Sequence, residues 1–562
     1  MFKPELFNSL KNYNTKTFFN DLIAGIIVGI VALPLAIAFA IASGVGPERG
    51  LFTAIVAGFC ISFFGGSRVQ IGGPTGAFAV IVFGVVQKFG YSGLVIATIM
   101  AGIMLILLGV FKMGGLVKFI PYTIITGFTA GIAVTIAAGQ IGDFLGLVPD
   151  FSTPITFFSK TYDKMPGDFL GKIVVYIKSI QTINWYSFGM ATICLIVIFL
   201  WPKLTKKIPG SLVVIILATV IDLIIKKTLG WETATIGSRY GSIPSSLPAP
   251  QIPSFNIELI KELFPTAISI AVLAAIESLL SAVVADGMIG TQHDSDTELI
   301  AQGIANIASP IFGGIPATGA IARTATNIKN GGKTPVAGII HAIVLLLIMM
   351  LLGQLAVYIP MAALSAVLVS VAWNMAGIPS VRALLKGQKS DICVLAITFL
   401  ITVFIDLTVA IEVGLGFAAF FFIKKMIDVS EVQSSRETLV GGITTSSNDE
   451  LSQIPHGVLI YRIDGPLFFG TVRKFELAIE KAKIDCKAII LQMENMIYLD
   501  AGGIKALEQF KSACDRKKIT IIISGIHTQP YLLLEKMGTA ELIGRENIKP
   551  NLDESFARAN EL

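Results

Sequence analysis

Four long stretches without a charged side chain constrain this chain more than any other feature. No Asp, Glu, Lys or Arg occurs between Asp21 and Glu48, between Lys118 and Asp143, between Lys178 and Lys203, or between Lys333 and Arg382. A helix needs about 20 apolar residues to cross a bilayer core, so the last stretch has room for two spans. Charged residues are 14% of the chain, whereas soluble proteins have about 25%. The sequence therefore predicts a polytopic α-helical protein in a lipid bilayer.

The hydrophobic segments fall into two halves of seven. They run roughly 21–42, 50–65, 74–88, 93–111, 118–141, 184–201 and 209–228, and then 260–284, 297–312, 316–328, 334–356, 360–377, 390–405 and 407–425. Seven is an odd number, so the two halves must have opposite orientations in the membrane. We predict a transmembrane domain over 21–428, with about 14 spans as a 7+7 inverted repeat (repeats about 21–228 and 260–425) after an N-terminal segment 1–20.

Basic residues indicate how the chain is oriented. Lys3, Arg68, Lys112, Lys203 and Arg382 are among those that share one side if both termini are cytoplasmic, in agreement with the positive-inside rule. We expect an integral protein of the cell (inner) membrane with both termini, including 1–20, in the cytoplasm. The net charge of +5 lies mostly in loops and does not indicate nucleic-acid binding.

The chemistry of the chain changes after about residue 430. Residues 429–450 are polar and mixed, which is typical of a linker. Beyond them, strand-like runs at 458–463, 488–493 and 519–524 alternate with helical runs at 471–483, 501–516 and 529–537. This alternation predicts a compact α/β domain over 451–562.

One motif occurs at the same place in both halves. The third segment opens Gly72-Gly73-Pro74-Thr75-Gly76-Ala77, and the tenth opens Gly313-Gly314-Ile315-Pro316-Ala317-Thr318-Gly319-Ala320. Short segments interrupted by Gly and Pro at matching positions of an inverted repeat indicate a transport site. If both are half-helices, their free N–H groups and positive dipole ends share one cavity. The predicted anion site consists of Thr75, Gly76, Ala77, Thr318, Gly319 and Ala320, with hydroxyl donors on the two threonines.

Further motifs carry a resemblance to a known family. The tail has Tyr461-Arg462-Ile463-Asp464-Gly465-Pro466-Leu467-Phe468-Phe469-Gly470 and Leu499-Asp500-Ala501-Gly502-Gly503, which resemble a STAS domain. The membrane part has Glu277-Ser278-Leu279-Leu280, Val284-Ala285-Asp286-Gly287, Arg323 and Gly331-Gly332-Lys333-Thr334-Pro335. Together they resemble the SulP (sulfate permease) family. This resemblance implies a uracil-permease-like core and gate, usually in a homodimer, that transports anions such as sulfate, bicarbonate, chloride or dicarboxylates.

The resemblance adds two residues to the anion site. Phe78 matches the aromatic side chain that lines the family's anion pocket, although ordinary packing is the alternative. Arg323 matches the arginine that supplies positive potential there. An arginine inside the membrane is costly and usually faces a cavity or a partner. The alternative is that Arg323 ends a shorter segment and extends its charge towards the membrane surface.

Glu277 and Ser281 are the predicted coupling-ion residues. They are one helical turn apart, so both can face the same side. In the family's bicarbonate transporters the matching pair is Asp and Thr and helps hold a sodium ion, whereas here Glu and Ser replace them. The Glu277 carboxylate therefore has three possible partners: a proton, a sodium ion, or Arg323 in a structural pairing. A bare buried carboxylate is expensive, so Glu277 needs one of these partners. We favour the proton, because Glu and Ser replace the sodium-type Asp and Thr.

The functional prediction is a secondary active transporter of sulfate or a similar small anion that works by alternating access, with H⁺ as the favoured coupling ion. A sodium-coupled bicarbonate or dicarboxylate transporter is the alternative, and an anion channel or a non-transporting sensor is the rival from another class. We expect no enzyme activity, because the sequence has no HExxH motif and no Cys/His cluster, and we expect no metal and no other cofactor. A cytoplasmic partner of the STAS domain is a further expectation. Ala501 follows Asp500 where phosphorylated antagonists have a serine, so a phosphorylation switch is not expected.

Overall fold

Two units make up the chain in the computed structural model. It describes residues 2–11, 13–115, 121–152, 155–157, 160–205, 209–251, 253, 257–405, 407–434, 455–480 and 486–562. The first unit ends at Gly416 and the second begins at Phe417. Each unit is described by itself.

The first unit is helical, because a helix satisfies its backbone N–H and C=O groups internally where no water is present. Its helices are α1 (Glu5–Leu10), α2 (Thr15–Ala42), α3 (Pro47–Phe64), α4 (Gly76–Val110), α5 (Tyr122–Gly139), α6 (Ile141–Leu145), α7 (Phe169–Lys178), α8 (Trp185–Leu204), α9 (Gly210–Leu229), α10 (Ile236–Tyr240), α11 (Ile257–Ile289), α12 (Ser295–Ile311), α13 (Ile321–Lys329), α14 (Val336–Leu352), α15 (Met361–Met375), α16 (Ile378–Leu384) and α17 (Lys389–Phe404), and α18 (Leu407–Val429) crosses the boundary. Among the described residues of this unit there are also four short strands, which are β1 (Gly72–Gly73), β2 (Ile155–Phe157), β3 (Lys160–Tyr162) and β4 (Thr318–Gly319).

The predicted hydrophobic segments coincide with helices, with two differences. The third and fourth segments form one helix, α4, with a kink at Gly90 (φ 68°, ψ −177°). In the tenth segment the helix begins only at Ile321, because Thr318 and Gly319 are extended in β4. Among the described residues, eight helices are long and apolar enough to cross a membrane. The number of about fourteen spans therefore stays a prediction.

Helix contacts repeat between the two halves, as an inverted repeat requires. The segment order matches α2 with α11, α3 with α12, the second part of α4 with α14, α5 with α15, and α8 with α17. Helix α2 packs on α14, and the matching pair α11 and α4 also pack together. The same holds for α3 on α14 and α12 on α4, and for α5 on α17 and α15 on α8. Helices α2–α4 and α11–α14 thus form one packed group. Helices α5, α8, α15 and α17 form a second, in which α5 packs on α17 and α15, and α15 packs on α8.

The second unit is an α/β domain built on a five-stranded sheet. Its strands are β5 (Glu431–Ser434), β6 (Val458–Asp464), β7 (Ala488–Gln492), β8 (Thr520–Ser524) and β9 (Ile548–Lys549), in that order across the sheet. Strand β5 pairs antiparallel with β6, and the remaining pairs are parallel. The helices are α19 (Val472–Glu480), α20 (Ala501–Arg516), α21 (Thr528–Lys536), α22 (Thr539–Ile543) and α23 (Leu552–Asn560). The central strand β7 is an apolar run buried from Ala488 to Leu491, as expected for a parallel strand that is covered on both faces.

The region expected to be a linker, 429–450, is not a linker at its start. Residues 431–434 form β5 and pair with residues 461–464 of β6, so the sheet begins before the predicted boundary at 451. The rest of the expected linker, 435–450, lies outside the described residues. Strand β9 and helices α22 and α23 have no counterpart in the sequence prediction.

Candidate functional site

Two short strands bring the repeated motifs of the two halves together. Strands β1 and β4 pair antiparallel, with Gly72 opposite Gly319 and Gly73 opposite Thr318. Each strand leads into a helix of the core group, β1 into α4 and β4 into α13. A Cβ at Gly72 would lie 2.2 Å from Cδ1 of Ile61, and one at Gly319 would lie 1.7 Å from Nε2 of Gln70. A side chain at either position would have to displace Ile61 or Gln70, so glycine favours this close approach.

The helices that follow the strands begin without side-chain caps. Thr75 and Ala320 are the extended N-cap residues of α4 and α13, and neither side chain accepts a hydrogen bond from the first turn. The first N–H groups of a helix have no partner within the helix, and the aligned peptide dipoles make that end positive. The predicted residues Gly76 and Ala77 open α4. Two positive helix ends therefore lie at one strand pair, which suits an anion.

Arg323 lies in α13 beside the strand pair and is 2% exposed. Its Nη2 donates to the Pro74 carbonyl at 2.9 Å, across the two halves of the chain. Its Nη1 lies next to β1, since a Cβ placed on Gly73 would be 2.4 Å from this nitrogen. Nη1 has no hydrogen-bond partner among the described residues. The side chain thus points into the protein, whereas the alternative has Arg323 extending towards the membrane surface.

The predicted coupling residues form hydrogen bonds with threonines on either side of the strand pair, Thr75 and Thr324. The Thr75 hydroxyl donates to Oε2 of Glu277 at 2.8 Å. The Ser281 hydroxyl instead donates to Oγ1 of Thr324 at 3.2 Å, and Thr324 Oγ1 also accepts from the Ile71 N–H. Within the described part of the chain, Glu277 forms no ion pair with Arg323. The contacts of Glu277 and Arg323 that the structure describes therefore give no support to a structural pairing of the two.

Phe78 and Thr318 are both fully buried, in different surroundings. Phe78 belongs to the apolar core of the first unit. Thr318 donates to the Ala274 carbonyl at 3.2 Å, and its Oγ1 lies 2.6 Å from the Ser278 hydroxyl.

Two polar residues near the strand pair were missed by the sequence prediction. Ser278 accepts from the Gly319 N–H at 3.0 Å, which ties α11 to β4. His341 is fully buried beside Gly58, and neither of its ring nitrogens has a partner among the described residues. A polar side chain inside an apolar helix is the signal that could have found both.

Gly76 faces the second group of helices. A Cβ at this position would lie 3.1 Å from Sδ of Met375, 3.1 Å from Cε1 of Phe39 and 3.2 Å from Cδ1 of Ile136. Met375 ends α15 and Ile136 lies in α5, so the start of α4 lies where the two helix groups meet. A site between two groups of an inverted repeat, next to broken helices, is an arrangement found in membrane transporters.

Comparisons with known proteins agree with this class. The sulfate permease family matches residues 18–398, and the STAS domain matches residues 451–555. The protein YvdB of Bacillus subtilis, which its name assigns provisionally to sulfate transport, is 42% identical over 97% of this chain and 98% of its own length. The bicarbonate transporter BicA of Picosynechococcus is 31% identical over 92% of this chain and 90% of its own length.

Solved structures share the fold. Murine solute carrier 26 family member A9, an anion transporter in the inward-facing state, matches 99% of this chain and 94% of its own with a TM-score of 0.85 and 20% identity. The transmembrane domain of a cyanobacterial BicA matches 72% of this chain and 98% of its own with a TM-score of 0.61 and 28% identity. The chain belongs to the sulfate permease family. It is an integral membrane transporter with a C-terminal STAS domain, and it is not an enzyme.

Proposed function

We propose that this protein is a secondary active transporter that moves sulfate or a similar small anion by alternating access. The observation that carries the proposal is the antiparallel pairing of β1 and β4, which places two uncapped helix starts beside the buried Arg323. Relatives named for sulfate and bicarbonate transport support an anion as the substrate. The anion would dock between the openings of α4 and α13, at Thr75 to Phe78 and Thr318 to Ala320.

Arg323 supplies the charge at this site. Its Nη1 is buried without a partner among the described residues, and an unpaired buried donor is costly. An anion near β1 would satisfy that nitrogen and neutralise the guanidinium. Arg323 thereby favours the loaded site over the empty one.

The coupling ion is a proton in this proposal, carried by Glu277. The carboxylate has the Thr75 hydroxyl as a hydrogen-bond donor at 2.8 Å and no cationic side chain as a partner in the described residues. Protonation of Glu277 removes the cost of a charged group at this depth. Because Thr75 is the N-cap of α4, protonation also changes a hydrogen bond at the start of that helix. A sodium ion at Glu277 and Ser281 is the second candidate, although the hydroxyl of Ser281 is bound to Thr324.

The test is uptake of labelled sulfate into proteoliposomes, in competition with unlabelled bicarbonate, chloride and dicarboxylates. Saturable uptake that depends on a gradient supports a transporter, whereas large unitary currents would support a channel, and no uptake of any anion would support a sensor.

The same assay separates the coupling ions. With a proton, uptake rises as the external pH falls, and Glu277→Gln removes this dependence. With sodium, uptake needs sodium at constant pH, and Glu277→Asp strengthens the requirement. Uptake that is independent of pH but depends on the sodium gradient would contradict the proposal of proton coupling.

We also propose a homodimer in the inner membrane with both termini in the cytoplasm and a cytoplasmic partner for the STAS domain. The distribution of basic residues between loops supports this orientation, and the resemblance to the family supports the dimer. Cross-linking of single-cysteine variants in intact membranes tests the dimer, and labelling of cysteines placed near each terminus from either side tests the orientation.

A further inference from the structure

A cavity of about 410 Å³ lies between the two helix groups of the membrane domain. Helix α4 lines one wall, and α5 and the end of α17 line the other. The cavity extends to Ala79 and Ile136, and Ile136 is the residue whose Cδ1 lies 3.2 Å from a Cβ at Gly76. The cavity therefore reaches to about one helical turn from Gly76, and Ile136 is close to both the cavity and Gly76.

Lys172 brings a positive charge to this cavity. It lies on α7, in the segment between α6 and α8, and its Nζ is 4.1 Å from the centre of the Phe83 ring on α4. Asp168 is the acidic residue nearest to Lys172 in the sequence, but its carboxylate caps α7 by accepting a hydrogen bond from the Gly171 N–H at 2.9 Å. Within the described residues, Lys172 forms no ion pair.

The other lysine of the cavity is different. Lys88 pairs with Glu262 at 3.2 Å, and both side chains are more than half exposed, so their charges offset each other in water. The wall from α5 and α17 contributes uncharged groups, such as Gln140 and Thr402. The charged groups that line the cavity are thus Lys172, Asp168, Lys88 and Glu262. Of its two lysines, Lys172 is the one that forms no ion pair with a described carboxylate.

We propose that this cavity is a vestibule that binds a small anion through Lys172 before the anion reaches the start of α4. The proposal rests on the proposed function, because it adds a first binding step to the same transport path. The ammonium over an aromatic ring is a weakly solvated cation that is held in place without an ion pair. In the low-dielectric surroundings of the cavity, the ammonium of Lys172 attracts an anion more strongly than it would in water.

Burial adds a pH dependence to this step. It lowers the pKa of Lys172 to about 8, and Asp168 opposes the shift. Lys172 is charged below that pH and loses its charge above it. Anion capture should therefore weaken between about pH 7 and 9.

Chemical labelling tests the vestibule without relying on transport. The purified full-length protein is treated with an amine-acylating reagent at pH 8 in four salts of equal ionic strength, which are sulfate, bicarbonate, chloride and, as the reference, gluconate. Mass spectrometry then measures how far each lysine is acylated. We expect at least one of the three anions to slow acylation of Lys172 several-fold and to leave Lys178, an exposed lysine on the same helix, unchanged. Equal acylation of Lys172 in all four salts would overturn the proposal.

Uptake kinetics give the second measurement. For the anion with the highest uptake, Lys172→Gln should raise KM about tenfold, as expected for one charged contact, with the maximal rate nearly unchanged. Lys172→Arg should keep a low KM and flatten its rise between pH 7 and 9, and Lys178→Gln should match the wild type. A wild-type KM in Lys172→Gln would overturn the vestibule while leaving the transporter intact. A wild type without uptake would overturn the proposed function, and the labelling would still decide the vestibule.

Discussion

Arg323 is the residue on which the proposed site depends most. Its bond to the Pro74 carbonyl joins α13 to the residue that follows β1, so the side chain positions backbone as well as supplying charge. Glu277 has a comparable double role, because its partner Thr75 is the N-cap of α4. A change of ligand or proton at either side chain therefore acts directly on the start of a helix.

Substitutions of Arg323 should show how much its charge and how much its hydrogen-bonding geometry contribute to anion affinity. Arg323→Ala removes a charged donor, which is worth about 1.5–3 kcal/mol, so the apparent affinity for the transported anion should fall about tenfold or more. Arg323→Lys keeps the charge but loses the fork that reaches both Pro74 and the site, so its loss should be smaller. Competition uptake measures both, and Arg382→Ala at an exposed position is the control. An unchanged affinity in the Ala variant would remove Arg323 from the site.

Short strands and broken helices are the elements that create the site. β1 and β4 are two residues each, too short to be stable alone, and they are held by the packed helices around them. Ser278 and Asn306 contribute further bonds to the backbone of the β4 region, at Gly319 and Ala317. A rigid frame thus presents the uncapped starts of α4 and α13, as a preorganised anion site requires.

Filling the space at these helix starts should block transport. In Gly76→Leu the side chain would extend beyond the Cβ position, which is already 3.1 Å from Met375 and Phe39, and Ala320→Leu adds similar bulk at the start of α13. We expect a loss of sulfate uptake with normal membrane insertion, checked by size-exclusion profiles of fluorescent fusions. The matched control is Gly189→Leu on α8, where an added Cβ meets no atom within 4 Å. Normal uptake by both site variants would contradict the docking site.

At the scale of the whole molecule, the chain combines a membrane transporter with an α/β domain that has its own core. The sheet has apolar clusters on both faces, which is typical of a domain that folds as a unit. In its loop, the Asp500 carboxylate accepts from the N–H groups of Gly503 and Phe469. Asp500 is therefore engaged in capping α20.

Two truncations test what the C-terminal domain contributes. Deleting 431–562 removes the whole sheet and should change expression or transport rate more than anion preference. Deleting 451–562 leaves β5 without β6, and an unpaired strand edge promotes aggregation, so this shorter deletion should give a lower yield of monodisperse protein. Expression and the anion competition panel measure both variants. A truncated protein with a changed anion preference would contradict this division of roles.

The sequence by itself determined the membrane character, the two halves, the paired motifs and the C-terminal α/β alternation. These features depend on local patterns, namely long uncharged runs, strand and helix periods, and Gly-Pro breaks. It also selected Arg323 and Glu277, since charged residues are rare inside apolar segments.

Only the tertiary structure decided which side chains meet. The contacts of Glu277 with Thr75 and of Arg323 with Pro74 join residues 202 and 249 positions apart, and the packing of helices from both halves sets such pairs. Ser278 and Lys172 became visible for the same reason, because the role of each depends on a neighbour from a distant segment. The position at which the C-terminal sheet begins, β5, also depended on a distant contact, namely the pairing of β5 with β6. From sequence alone, a polar strand at the edge of a sheet looks like a linker.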